Sequence, residues 1–202
     1  MPTLTRAGYI PQGGTIGIIG GGQLGQMMAL DAKYAGMKVI ILDPMPNCPA
    51  GQGADDQIVA PYEDKQAIEE LAKRADVLTY EFENVDLVAL EAVADQVAIP
   101  QGTELLRITK DRIREKTFLQ EAGLSTAPFA AVTNQAELEA AVTKIGYPSV
   151  LKTCEGGYDG HGQVILKSAA DLAKCTDVLA TGNCILEGWV KFDLECSVMV
   201  AR

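Results

Sequence analysis

The chain has 202 residues, enough to bury a core and to hold one or two domains. Apolar residues make up 48% and charged residues 22%, the balance of a soluble globular protein. The formal charge of −10 argues against a nucleic-acid partner, whose phosphate backbone demands a basic face, but it leaves room for a small phosphorylated ligand met by local donors. The five cysteines (Cys48, Cys154, Cys175, Cys184, Cys196) show no CxxC or Cys/His metal spacing. An odd number of cysteines with no secretory leader reads as reduced thiols in a cytoplasmic protein. No apolar run approaches the length of a membrane span, so no membrane partner is expected.

Residues 1–14 read as a leader arm without periodicity. TIGII (15–19) is a short β-branched run that suits a buried strand, and Gly20–Gly22 turn the chain. Gln23–Ala35 reads as a helix with Leu24, Met27, Met28 and Tyr34 near one side, closed by Gly36. KVIIL (38–42) and QIVA (57–60) are the next strands, separated by a loop rich in Pro and Gly. Asp64 caps a helix over Lys65–Arg74. DVLTYEF (76–82) is a fourth strand, Asp86–Ala94 a helix and QVAI (96–99) a fifth strand. This β-α-β-α order predicts a parallel sheet covered by helices, with a domain boundary near 102/103.

Beyond that boundary a charged helix is expected over Thr109–Ala122, then strand FAAV (129–132) and a helix capped by Asn134 with Glu137 three residues on. Strands SVLKT (149–153) and QVILK (163–167) follow, then a helix opening at Ser168 and strand NCILEGWV (183–190). Leu194–Ala201 alternates as a strand does, with Leu194, Cys196, Val198 and Val200 on one face and Glu195, Ser197 and Met199 on the other. The chain stops inside this pattern, and we read it as a fragment of a longer protein.

Two glycine loops and one acidic strand end carry the candidate chemistry. Gly20–Gly25 (GGGQLG) matches G-x-G-x-x-G between a strand and a helix, and Asp43 ends the second strand at the distance of a ribose-binding acid. Taken alone this is the dinucleotide fingerprint of a nicotinamide oxidoreductase. The same glycines also serve a tight turn and close helix–strand packing, and a helix N-terminus accepts any phosphate. In Tyr80-Glu81-Phe82-Glu83-Asn84, Glu81 and Glu83 alternate onto one face at the C-terminal end of a strand, where open α/β sheets place ligand groups; a solvated acidic strand end is the alternative. In SVLKTCEGGYDGHG the lysine-bearing strand leads into Gly156, Gly157, Gly160 and Gly162, around Tyr158, Asp159 and the single histidine, His161. Such a loop folds over a ligand and aims amide groups at phosphate oxygens, with Lys152 supplying charge.

IGIIGGGQLGQMM, TYEFENV, DRIREKTFLQEAGLSTAPF, VLKTCEGGYDGHGQ and ILEGWVKFDLECSV occur in one order. That order resembles the ATP-grasp ligases of purine biosynthesis, and most closely the N5-carboxyaminoimidazole ribonucleotide synthetase family. The resemblance covers nearly the whole chain after the leader arm, and the two glycine loops are specific as a pair. It implies an α/β protein: a Rossmann-like parallel sheet of the preATP-grasp type over 15–102, and an incomplete α+β ATP-grasp domain over 103–202. It further implies ATP-dependent carboxylation of 5-aminoimidazole ribonucleotide with bicarbonate through carboxyphosphate, releasing ADP and phosphate.

Carried onto matching positions, the resemblance implies that Arg112 and Lys152 contact ATP phosphates. The loop Gly157–Gln163, through Tyr158, Asp159, Gly160, His161 and Gly162, would close over them. Glu187, Gly188, Trp189 and Val190 would read adenine, and Glu195 would hold the ribose. Gly22, Gln23, Leu24 and Glu81 would line the ribonucleotide site, and Tyr158 and Asp159 would face the reacting centre. Mg2+ is implied with its ligands beyond Arg202, so no metal ligand is named within the chain; a homodimer is implied for the full-length protein. His161 departs from the Arg or Lys of many relatives: a neutral imidazole weakens charge pairing, although a phosphate beside it favours the protonated form. Other purine-pathway ATP-grasp enzymes and a nucleotide-binding module without turnover are the remaining alternatives.

Overall fold

Apolar β-branched runs joined by helices build a sheet covered on both faces, and the first half of the chain follows that rule closely. We describe residues 10, 12–157 and 161–198 in a computed structural model of the chain. Strands β1 (Thr15–Ile19), β2 (Lys38–Leu42), β3 (Asp56–Ile58) and β4 (Val77–Tyr80) pair in parallel in the order β3-β2-β1-β4. Period-two alternation sends Ile18, Val39 and Ile41 to one face, where they pack with Ala29, Cys48 and Ala50. Ile19, Ile40 and Leu42 go to the other face, against Ile68, Leu71 and Leu90. The latter residues come from helices α2 (Lys65–Arg74) and α3 (Leu87–Val93).

Helix starts carry acidic caps, expected at Asp64 and found also at Asp86, which the sequence reading put inside the helix. Asp64 accepts from the backbone N–H groups of Gln66 and Ala67, and Asp86 from that of Ala89. Helix α1 (Gln23–Tyr34) differs: its cap is Gly22, which has no side chain to offer. Its apolar stripe also points the other way from a core helix. The buried residues are Gly25 and Ala29, while Leu24, Met27 and Tyr34 are exposed. The reason is close approach, since a Cβ on Gly25 would lie 2.1 Å from the carbonyl oxygen of Gly20. Only small residues fit between this helix and the sheet.

Next come α4 (Glu104–Thr109), a helix not expected from the sequence, and α5 (Arg112–Glu121), which lies within the helix expected over Thr109–Ala122. Asp111, extended in backbone, accepts from the N–H groups of Ile113 and Arg114 and so starts α5 three residues later than expected. Leu106 of α4 is buried in the first core, and the two compact units of the chain divide between Thr109 and Lys110, a few residues beyond the boundary read from the sequence. In the second unit β5 (Phe129–Val132), β6 (Ser149–Thr153), β7 (Gln163–Leu166) and β8 (Cys184–Gly188) form an antiparallel sheet in the order β5-β8-β6-β7. One face, with Val132, Leu151, Leu166 and Leu186, packs against Leu138 and Val142 of helix α6 (Gln135–Ile145). A 3-10 turn over Ala169–Cys175 and the short helix α7 (Thr176–Leu179) complete that core. The other face carries Val150 and Lys152 of β6 and Ile185 and Glu187 of β8, in register.

Several expected strands are shorter than their apolar pattern. QVAI contributes a single bridge, Val77 to Ala98, rather than a strand. β3 ends at Ile58, short of Pro61 with its missing N–H, and β8 ends at Gly188, leaving Trp189 and Val190 half-exposed. The alternating segment forms no strand over 194–198, where Leu194 and Val198 are exposed; 199–201 lie outside the described residues. Alternation needs a neighbouring strand to become a ladder, and no described residues provide one here.

Gly25→Ala forces its methyl into the Gly20 carbonyl and should destabilise the first unit by about 1–3 kcal/mol. A urea unfolding midpoint equal to that of the native chain would contradict the close-approach argument.

Candidate functional site

Each unit holds a buried or half-buried carboxylate that gathers polar partners around it. In the first, the glycine turn is held from both sides. Asp43, at the end of β2 and 6% exposed, accepts from the N–H of Gly21 at 2.7 Å, the N–H of Met45 at 2.8 Å and the hydroxyl of Tyr62 at 2.5 Å. Burial, reinforced by the hydrogen bond and charge of Asp43, pushes the Tyr62 hydroxyl well above the usual phenol range. Tyr62 also meets Phe82 edge-on, with ring centroids 4.7 Å apart. Asp43 is therefore engaged in the turn itself and is not presented to a ribose.

Glu81 closes the turn from the β4 side. Its Oε2 accepts from the N–H of Gly25 at 2.7 Å, and Oε1 would lie 3.2 Å from a Cβ on Gly22. A helix start without a side-chain cap leaves amides unpaired and favours negative charge, and here Glu81 supplies it across 56 residues of sequence. That is the position in which a dinucleotide fingerprint receives a pyrophosphate. The strand ends at Tyr80, yet Glu81 and Glu83 both line a cavity of about 300 Å³ with Tyr80, Phe82, Gln101 and Leu105. Gln23 and Leu24 are exposed at the helix start beside Glu81. Gly22, Gln23, Leu24 and Glu81 are thus neighbours, as their assignment to one site requires.

In the second unit, Glu187 is buried at 8% exposure on the open face of the sheet. Its two oxygens are divided between two cations. Oε2 accepts from Lys152 Nζ at 2.7 Å, and Oε1 lies 3.2 Å from Lys116 Nζ. Burial pushes the Glu187 carboxyl up, but Lys152, by hydrogen bond and charge, and then Lys116 outweigh burial and hold it below the usual carboxylate range. Lys152 sits on an internal strand between β8 and β7, not on a sheet edge. Lys116 was missed from the sequence. The available signal was its spacing: it lies four residues after Arg112, on the same side of a helix that reads as solvated and charged.

Arg112 has a task in this structure besides the phosphate contact implied by the resemblance. Its guanidinium donates to the carbonyl oxygens of Thr153 at 3.0 Å, Cys154 at 3.4 Å and Gly157 at 2.6 Å. It anchors the start of the glycine loop to α5. Gly162, with φ +69°, ends the loop against Thr153, whose Oγ1 would lie 2.9 Å from a Cβ there. That Oγ1 is buried with no hydrogen-bond partner among the described residues, and Thr153 borders a cavity of about 460 Å³ with Asp111, Glu155, Gly156, Gly157 and Asn183. Burial, more than the nearby Asp111, pushes the Cys154 thiol up to about 12, so it stays a neutral lining group. His161, Gly162 and Gln163 are exposed. Tyr158, Asp159 and Gly160 lie outside the described residues. Glu195 is exposed on the segment without regular structure, and Trp189 and Val190 follow β8.

A parallel α/β unit followed by an antiparallel sheet that carries a lysine, a glutamate and a glycine loop on one side defines the architecture of the ATP-grasp proteins. Two family models match accordingly: the ribonucleotide synthetase preATP-grasp domain over residues 14–110 and the ATP-grasp domain over residues 117–202. The chain therefore combines a ribonucleotide synthetase preATP-grasp domain with an ATP-grasp domain. It is similar to N5-carboxyaminoimidazole ribonucleotide synthase of Bacillus subtilis, with 50% identity over 94% of this chain and 50% of the relative. It also resembles the solved N5-carboxyaminoimidazole synthetase of Staphylococcus aureus complexed with ADP, at 40% identity and a TM-score of 0.86 over 90% of this chain and 48% of that one. The corresponding synthase of Aspergillus clavatus, in complex with ADP and 5-aminoimidazole ribonucleotide, matches at 29% identity and a TM-score of 0.79 over 90% of this chain and 48% of that one. The chain spans about half the length of the curated relatives it matches.

Lys152→Met leaves the buried Glu187 with Lys116 alone and should cost about 1–3 kcal/mol at neutral pH. Because the folded carboxyl is held low, the ion pair contributes fully above the ordinary carboxyl pKa of 4.5 and fades as pH falls through the lowered folded value. The gap between native and variant in urea unfolding should therefore narrow at about pH 3.5; a gap of equal size at both pH values would refute this account.

Proposed function

We propose that the full-length protein is an ATP-dependent carbon–nitrogen ligase that carboxylates 5-aminoimidazole ribonucleotide with bicarbonate, giving N5-carboxyaminoimidazole ribonucleotide, ADP and phosphate in purine biosynthesis. The observation that carries this reading is the cluster on the open face of β6 and β8. There Lys152 and Glu187 stand beside a glycine loop anchored by Arg112, in a chain half identical to a synthase of that name.

In this reading the polyphosphate is met by Lys152 and Arg112, both cations suited to it, and the loop Gly157–Gln163 closes over it. The Glu187–Val190 segment receives the adenine and Glu195 the ribose hydroxyls. Bicarbonate oxygen attacks the γ-phosphorus and ADP leaves, giving carboxyphosphate; the ribonucleotide amine then attacks its carboxyl carbon and phosphate leaves. Phosphoryl transfer asks the protein mainly for positioning and charge neutralisation, and loop closure keeps water from the labile mixed anhydride. Gly22, Gln23, Leu24 and Glu81 line the ribonucleotide site, where the Glu81 carboxylate sits on the Gly25 amide. Tyr158 and Asp159 face the reacting centre.

Mg2+ belongs to this proposal by resemblance alone. Among the described residues no three His, Cys, Asp or Glu side chains are grouped to hold a metal ion, and no step is derived through one. No described helix is long and apolar enough to cross a membrane. Small-molecule substrates, no nucleic-acid or membrane partner, a homodimer and a cytoplasmic setting complete the reading. The nicotinamide alternative gains nothing from the first turn, whose anion position Glu81 fills.

Phosphate release by the full-length protein should require both bicarbonate and the ribonucleotide; release independent of either would overturn the assignment. Lys152→Ala should weaken ATP binding by about 10–100-fold with ribonucleotide binding kept, and Glu81→Ala the reverse. Equal effects of both substitutions on both ligands would undo the two-site reading.

A further inference from the structure

The three groups that share the open face of the second unit form an odd-numbered charge set: one buried carboxylate and two lysines. Glu187 gives one oxygen to each, Oε2 to Lys152 at 2.7 Å and Oε1 to Lys116 at 3.2 Å. Its ladder neighbours, Val150 on β6 and Phe129 on β5, carry no charge. The groups facing the carboxylate are therefore Lys152 from β6 and Lys116 from α5. The two lysines differ in freedom. Lys116 is the more enclosed, with 17% of its side chain accessible, and it projects from the helix whose Arg112 is already tied to the loop carbonyls. Lys152 is accessible to 28% and stands one strand residue before the loop-bearing Thr153.

We propose that Lys116 is a positioning residue that keeps Glu187 in place as a carboxylate when Lys152 turns from it to a nucleotide polyphosphate. This rests on the reading of Lys152 as a phosphate contact. A polyphosphate competes with Glu187 for the Lys152 ammonium, since both are oxyanions. With Lys116 present, the carboxylate retains a cation and an unbroken ion pair. Without Lys116, the departure of Lys152 strands a buried negative charge, which either takes up a proton or pulls Lys152 back from the ligand. The second lysine is what lets one cation serve two anions in turn. Held between them, the Glu187 carboxyl already lies below its usual range against the opposing pull of burial.

The test is calorimetric titration of the intact protein with ADP at neutral pH, in two buffers of different ionisation enthalpy, to count protons taken up on binding. Native protein and Lys116→Arg should bind ADP with no uptake attributable to Glu187. Lys116→Met should take up close to one proton per ADP, and its affinity should fall about tenfold per pH unit above the carboxyl's new range. The uptake should vanish in Lys116→Met combined with Glu187→Gln, and adenosine, which has no phosphate, should show none in any variant. If Lys116→Met does not fold, Lys116→Gln serves in its place with the same expectation. ADP binding by these variants with native affinity and no proton uptake would overturn the proposal while leaving the nucleotide site intact. Native protein that fails to bind ADP would overturn both.

Discussion

A carboxylate buried where water cannot screen it must be matched by cations, and Glu187 is matched twice. Almost everything about the second unit's open face follows from this constraint. β8 has to lie beside β6 so that Glu187 and Lys152 stand on one side, and α5 has to cross that side so that Lys116 reaches the other oxygen. The same helix then carries Arg112 to the three carbonyls at the base of the glycine loop. One helix thereby couples the charge of the sheet to the anchoring of the loop. The face opposite is an ordinary apolar core, which frees this one for polar work.

The first unit solves a related problem with backbone donors in place of lysines. A helix that begins on glycine has no cap of its own, and Glu81 and Asp43 reach in from the ends of the two strands that flank β1 to bond Gly25 and Gly21. Small residues at Gly25 and Ala29 bring the helix close enough for this to happen, at the cost of leaving Leu24, Met27 and Tyr34 on the surface. A glycine fingerprint that looks ready for a dinucleotide is in fact satisfied internally. An incoming ligand there meets a placed carboxylate, which suits an amine better than a pyrophosphate.

Much of the architecture was legible because local rules and tertiary demands agree. The strands TIGII, KVIIL and SVLKT and the caps at Asp64 and Asn134 stand where apolar runs and capping chemistry place them. Legibility failed where a pattern needed a partner to become structure. QVAI is apolar enough for a strand but makes one bridge, and the alternating residues 194–198 make no ladder among the described residues. It also failed around Asp111, a cap inside the charged run that starts α5 later than expected, and at α4, which was not expected. Lys116 went unnoticed for a simpler reason: a lysine on a charged helix has no local mark that distinguishes a solvated group from an ion-pair partner. Only the strand it crosses makes that distinction.

From the sequence alone came the parallel unit, the ordered pair of glycine loops, and Lys152 and Glu81 as groups of interest, with Glu187 added by the resemblance. These are properties of residue type and spacing along one chain, where periodicity and turn chemistry act. The tertiary structure decided what those groups touch: Asp43 spent on a turn, Glu81 on a helix amide, Arg112 on loop carbonyls and Glu187 between two lysines. Those pairings join residues 22 to 71 positions apart, and an electrostatic match at such separations depends on distance in space, which spacing in sequence does not encode.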